Sequence, residues 1–202
     1  MATDPLDEVL AQARDLGFFG PGPVEGQRAH AEAFAAVLDA PPRLAVDLGS
    51  GGGVPGLVLA TRYPDSRWLL VDAMAKRTAF LRAAVETLGL GDRVEVCTVR
   101  AEELGRRRRG TADLVVARSF GPPPVTAECA APFLQVGGTL VVSEPPGGAI
   151  DRWDPTALGQ LGLAIEEVTT GPPAMIRLRQ ATPCPAIYPR RTGLPRKRPL
   201  WR

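Results

Sequence analysis

The chain has 202 residues, 45% of them hydrophobic, with 24 Lys or Arg against 22 Asp or Glu and a net charge of +2. That is one domain of ordinary size, long enough to bury a full core and too short to leave room for a second catalytic domain. No apolar run approaches the roughly 20 residues of a membrane span, and the acidic opening MATDPLDEVLAQARDLG is unlike a signal peptide, so a soluble cytoplasmic protein without membrane contact is expected.

In chain order, residues 5–16 and 27–39 place apolar positions at helical spacing on either side of the turn-rich GFFGPGPVEG. They predict N-terminal helices packed on the core, over residues 1–40. The pattern then changes. LAVDL (44–48), RWLLVD (67–72), RVEVCTV (93–99), ADLVVAR (112–118) and GTLVVSE (138–144) are short, mostly continuous apolar runs, separated by helical patterns at 54–63, 75–88 and 122–134. Such alternation predicts a parallel sheet buried on both faces. LAIEEVT and AMIRLRQ, joined across TGPP, read as a terminal antiparallel hairpin. The expected core, residues 41–181, is an α/β class I methyltransferase-like, Rossmann-like doubly wound sheet, mostly parallel with an antiparallel C-terminal hairpin. RRRR (106–109) reads as a loop between the third and fourth strands, more commonly a solvated charge run than a phosphate track. Residues 182–202 form a Pro- and Arg-rich tail to which no element is assigned. From Val168 to Arg202 there are eight Arg or Lys and no acid, so the body carries −6. A basic tail on an acidic body is either a polyanion-facing edge or a solvated appendage.

The loop VDLGSGGGVPG (46–56) closes the first strand. Read as Gly51-x-Gly53-x-x-Gly56, with Asp72 about 20 residues on, it satisfies a dinucleotide fingerprint. Read as Asp47-x-Gly49-x-Gly51-x-Gly53, it resembles the acidic-start S-adenosylmethionine loop of class I methyltransferases. Asp47 favours the second reading: an anion there repels a pyrophosphate and attracts the cofactor's amino group. Pro55 suits the first turn of a helix, and no Gly-Lys-Ser/Thr follows, which excludes a P-loop. Asp72 ends the second strand, where a carboxylate accepts ribose hydroxyls or caps a helix. Ala101 and Glu102 follow the third strand, at the adenine position. Cys97, Cys129 and Cys184 give neither a metal-ligand spacing nor an even disulfide set, and no metal is expected.

These residues resemble those of the glucose-inhibited division protein B (RsmG) family, methyltransferases acting on guanine N7 of small-subunit rRNA. The carriers are VDLGSGGGVPGLVLA, VDAMAKRTAFLRAAVETLGL, VRAEEL, LVVARSF and YPRRTGLPRKRPL, spread over residues 27–202. The resemblance implies S-adenosylmethionine as cofactor, with contacts at Gly49, Val54, Ala101, Glu102 and Arg118. Ser50, Gly51 and Gly53 belong to the same loop. It also implies 16S rRNA or the small ribosomal subunit as partner, met by Arg190, Arg191, Arg196, Lys197 and Arg198, and a monomer is expected. Two departures stand out. Only 43 residues precede the first strand, without the family's Asn-Leu-Thr, and its Lys-Gly after the fifth strand is SEPPGG here, which sets Glu144 where a cation is usual. Methylation of another RNA or a small molecule, or cofactor or RNA binding without catalysis, remain the alternatives. TPCP (182–185) contains a Pro-Cys pair like that of cytosine-C5 enzymes, but lies far from the fourth strand, so Cys184 reads as incidental.

Guanine N7 has an in-plane lone pair and no proton near neutral pH, so it needs no general base; catalysis reduces to alignment and electrostatics. Accordingly Arg118, at the fourth strand's end, is the expected catalytic residue, and the single His30 is read as structural.

Overall fold

The computed structural model describes residues 4–20, 22–145 and 150–202. Its frame is a seven-stranded sheet in the order β3-β2-β1-β4-β5-β7-β6. The strands are β1 (Leu44–Leu48), β2 (Arg67–Asp72), β3 (Val94–Thr98), β4 (Ala112–Arg118), β5 (Leu134–Ser143), β6 (Leu163–Thr169) and β7 (Met175–Gln180). The first five are mutually parallel, and β7 runs antiparallel between β5 and β6. This is the expected mostly parallel sheet with an antiparallel terminal pair.

Helices α1 (Pro5–Asp15), α2 (Val24–Ala36), α3 (Gly56–Arg62), α4 (Ala75–Thr87), α5 (Ala101–Arg107), α6 (Pro123–Ala130) and α7 (Pro155–Gln160) surround the sheet. Ala45, Leu70, Leu114, Val116 and Val141 pack with Phe34, Leu57, Leu59 and Leu81 on one face. Val46, Leu48, Val71, Val115, Ala117 and Val142 pack with Leu104, Ala127, Phe133 and Trp153 on the other. Successive strand residues thus serve opposite layers, which is why the strands read as continuous apolar runs rather than alternating ones.

Two elements differ from the sequence expectation. RRRR is only half a loop: Arg108 and Arg109 lie in the turn, but α5 runs through Arg107, with Glu102 and Glu103 in its first turn and Arg106 and Arg107 in its last, an arrangement that complements the helix dipole at both ends. The tail is not irregular throughout. It forms one helical turn, α8 (Leu194–Lys197), and buries Tyr188 and Trp201 in the core cluster. These two aromatics supply the apolar anchor that the tail's Pro and Arg content conceals.

The order of connections reverses between β1 and β4, whose following helices α3 and α6 pack on opposite faces and leave a crevice outside the paired carboxyl ends. The glycine loop fills the turn from β1 into α3 at that point, and packing around it is tight. A Cβ on Gly52 would lie 2.5 Å from Phe19 Cε1, while one on Gly56 would collide with the Asp47 carboxylate and lie 2.6 Å from Leu70 Cδ2. Phe18 packs edge-on to Phe80 at 5.5 Å, so this aromatic pair is structural. Gly56→Ala, at a site with ordinary backbone geometry and no space, is expected to lower stability by about 1–3 kcal/mol, measured by urea denaturation against the unaltered chain.

Candidate active site

Two buried carboxylates fix the glycine loop. Asp47 Oδ2 accepts from Gly56 N at 3.1 Å, so it faces the start of α3 rather than the crevice. Asp72 Oδ2 accepts from Gly51 N at 3.1 Å and its Oδ1 from Met74 N at 2.8 Å. Ser50 closes the turn by donating from Oγ to the Asp47 carbonyl at 3.0 Å. Gly49, Gly51 and Gly53 all have positive φ, at 72°, 54° and 90°, a backbone that a side chain would strain. Val54 is buried behind them.

A cleft of about 590 Å³ opens beside this loop. Gly49, Asp72, Ala101 and Glu102, all named from sequence, line it together with Val71, Val99 and Val125. The apolar floor, an acid at the β2 end and close-approach glycines suit an adenosine with a methionine arm. Glu102 is buried, and its Oε1 accepts from Gly193 N at 2.9 Å.

Arg118 stands where β4 ends. It lines both a small cavity of about 160 Å³ against Gly49–Gly52 and a second cavity of about 550 Å³. Its Nη2 donates to Gln27 Oε1 at 2.6 Å, while its Nη1 is buried without a partner. Burial lowers the Arg118 pKa from its ordinary value, and the Asp47 charge opposes that shift. The next residue, Ser119, lines all three cavities. With φ of 53° it is the one left-handed non-glycine residue among the described residues, a strained backbone of the kind that collects at functional sites. Sequence reasoning missed it, since the only local signal is its position between a strand end and Gly-Pro-Pro.

His30, Phe120, Glu144, Arg152 and Trp153 line the second cavity. His30 Nε2 shares a 2.7 Å hydrogen bond with Ser143 Oγ, and burial, with Arg118 nearby, pushes its pKa down to about 4, so the ring is neutral near pH 7. Glu144 presents no free anion. It is buried, with Oε2 paired to Arg152 and Oε1 accepting from Trp153 Nε1 at 3.0 Å. The Glu144–Arg152 pair thus leaves this part of the rim without net charge. Pro146, Gly147 and Gly148 of SEPPGG lie outside the described residues.

The tail does not behave as one basic strip. Arg190 is committed to Glu128, which corrects its reading as a residue facing RNA: a buried carboxylate holds its guanidinium. Arg191, Arg196, Lys197 and Arg198 are exposed, and Arg196 and Lys197 also line the main cleft. Arg106 and Arg109, from the supposed charge run, donate to tail carbonyls. Cys184 sits in that tail, while Arg118-Ser119-Phe120 occupies the end of β4. Among the described residues, no helix is long and apolar enough to cross a membrane, and no group of three or more His, Cys, Asp or Glu is placed to hold a metal ion.

The family model for rRNA small subunit methyltransferase G matches residues 31–144. The chain belongs to that family. Ribosomal RNA small subunit methyltransferase G of Parasynechococcus marenigrum is 37% identical over 174 residues, covering 78% of this chain and 68% of the relative. The Moorella thermoacetica protein of the same name is 36% identical over 177 residues, covering 83% and 73%. Among solved structures, cofactor-bound Rv0187 from MTB superposes with a TM-score of 0.63 at 18% identity over 89% of this chain and 91% of that one. The Podospora anserina methyltransferase PaMTH1, bound to SAH, gives 0.62 at 15% identity over 88% of each. These two likenesses concern the fold. As a member of the family the chain is an S-adenosylmethionine-dependent methyltransferase, and the cleft's donor set fits that cofactor.

Burial pushes the Asp47 pKa up to about 7. A carboxyl that holds its proton more tightly folded than unfolded destabilises the fold as pH rises from about 4 to about 7, with no further change above. The melting temperature of the native chain minus that of Asp47→Asn is therefore expected to fall across this window. The amide oxygen still accepts from Gly56, so a flat difference would contradict the assignment.

Proposed function

We propose that this protein transfers the S-adenosylmethionine methyl group to N7 of a guanine in 16S ribosomal RNA, acting as a monomer in the cytoplasm. One observation carries the reading. Arg118 lines both the glycine-loop cavity and the second cavity, and its buried Nη1 has no hydrogen-bond partner.

The cofactor, when bound, supplies an electrophilic methyl on a positive sulfur. In this reading Asp72 meets the ribose, the backbone at Ala101 and Glu102 meets the adenine, and Gly49, Ser50, Gly51, Gly53 and Val54 shape the methionine end. Asp47 acts one step back: through Gly56 N it sets the loop's junction with α3. Guanine enters the second cavity. Phe120, half-buried and lining both this cavity and the main cleft, offers it a stacking face. The Arg118 guanidinium would donate to guanine O6 and so hold the base with its N7 lone pair uncovered toward the cofactor's methyl. No side chain has to remove a proton, so the chain's contribution is alignment and a fixed positive field. Arg191, Arg196, Lys197 and Arg198 carry phosphates at the tail rim, beside Arg100 on the cleft wall. Other methyl acceptors were suggested by Glu144 as a free anion; its pairing with Arg152 and Trp153 supports the rRNA reading by neutralising that charge.

Transfer of labelled methyl to small-subunit rRNA from a strain lacking this protein tests the reading. Arg118→Ala is expected to cut the rate by about 100-fold or more with the melting temperature preserved, and Arg118→Lys, which loses the planar fork, to recover little of it. Full activity in Arg118→Ala would remove the residue from the mechanism. For the tail, Arg196→Ala with Lys197→Ala is expected to weaken RNA binding and flatten its salt dependence by roughly one to two phosphate contacts, read by filter binding at several salt concentrations.

A further inference from the structure

The fold contains a buried charge that the methyl transfer does not use. Glu128 on α6 has no exposure at all and lies between the buried Ala127 and Cys129. A carboxylate in such surroundings costs several kcal/mol unless it is compensated. Its compensation comes from the far end of the chain. Arg190 donates to Glu128 Oε1 from its backbone N at 2.9 Å and from Nε at 2.8 Å, and to Oε2 from Nη2 at 2.6 Å. The same Nη2 donates to the Arg198 carbonyl at 2.7 Å. One guanidinium therefore ties α6 to both ends of the segment 190–198, with α8 enclosed between them.

That segment is part of the cofactor cleft. Thr192, Gly193, Arg196 and Lys197 line it on one side, and Val125 and Cys129 of α6, which carries Glu128, line it as well. Further bonds hold the segment against α5. Gly193 N donates to Glu102 Oε1 at 2.9 Å, and Arg106 donates at 3.2 Å both to the Arg190 carbonyl and to Thr192 Oγ1. Glu102 and its neighbour Ala101 begin α5 on the cleft wall.

A buried ion pair is a poor device for stability alone, because apolar residues of equal volume commonly do as well or better. What a bidentate fork provides is fixed geometry. We infer that the Glu128–Arg190 pair is a positioning device for the cofactor: it holds residues 190–198 as a wall of the S-adenosylmethionine cleft, so that the C-terminal segment helps to build the cofactor site as well as facing RNA. The cofactor then meets a preformed wall and does not have to order it on binding.

Three variants separate this role from simple stabilisation. Arg190→Gln leaves a buried carboxylate unpaired, Glu128→Gln keeps the volume without the charge, and the double variant removes both charges. Calorimetric titration of the full-length protein with S-adenosylhomocysteine reads the cleft without any RNA. Affinity is expected to fall by about tenfold or more in each single variant, with KM for S-adenosylmethionine rising by a larger factor than kcat falls. The double variant is expected to regain melting temperature relative to Arg190→Gln without regaining affinity, and trypsin to cut after Arg191, Arg196 or Lys197 faster than in the native chain. A double variant that binds S-adenosylhomocysteine as tightly as the native protein, or single variants with unchanged affinity, would overturn the inference. Failure of the native protein to bind would overturn the cofactor assignment and this inference with it.

Discussion

The site depends on one constraint: a glycine turn at the switch point must keep its shape while lying open to a ligand. Backbone N–H groups in such a turn need acceptors, and the ligand cannot be relied on to supply them. Asp47 and Asp72 do so from the ends of adjacent parallel strands, one reaching Gly56 and the other Gly51. Each is almost fully buried. Burial pushes the Asp47 pKa to about 7, and Arg118 balances part of its charge across the crevice. The strand order that sets β1 beside β4 at the switch point brings this pair of carboxylates, the arginine and the strained Ser119 together.

Around that point the chain builds a container from distant pieces. The N-terminal segment covers the glycine loop through Phe18 and Phe19, and Gln27 takes one donor of Arg118. The C-terminal segment closes the other side through Glu128, Glu102, Arg106 of α5 and Arg109 in the turn that follows. Charge is divided in the same way. The acids around the site, Asp47, Asp72, Glu102, Glu128 and Glu144, are buried and satisfied by backbone or side-chain donors, whereas Arg191, Arg196, Lys197 and Arg198 are left exposed. The net charge of +2 thus conceals an acidic interior site with a basic rim, which suits a cationic cofactor within and a polyanion without.

Much of this was legible in the sequence. The five apolar runs and the terminal hairpin read correctly because a sheet buried on both faces writes itself as unbroken apolar stretches. The glycine loop, Asp72, Ala101, Glu102 and Arg118 were placed by their positions after strands. What escaped were bonds between residues far apart in the chain. Arg190 and Glu128 are 62 positions apart, and Arg109 reaches carbonyls at 184 and 185; neither leaves a local signature, so the arginines read as solvated or RNA-facing. Glu144 read as a free anion because Arg152 and Trp153, which neutralise and bury it, follow a segment whose path no pattern reveals. Asp47 read as a ligand contact, since spacing cannot tell a carboxylate facing the crevice from one turned back to a helix start.

The central claim, that this arrangement serves methylation of a guanine at N7 in small-subunit rRNA, is tested most directly by nucleoside mass spectrometry. The rRNA compared is that of a strain lacking the protein and of the same strain with it restored. Loss of one N7-methylguanosine on deletion and its return on restoration is the result expected. An N7-methylguanosine content that is identical in the two strains would contradict the account, however well the cleft binds its cofactor.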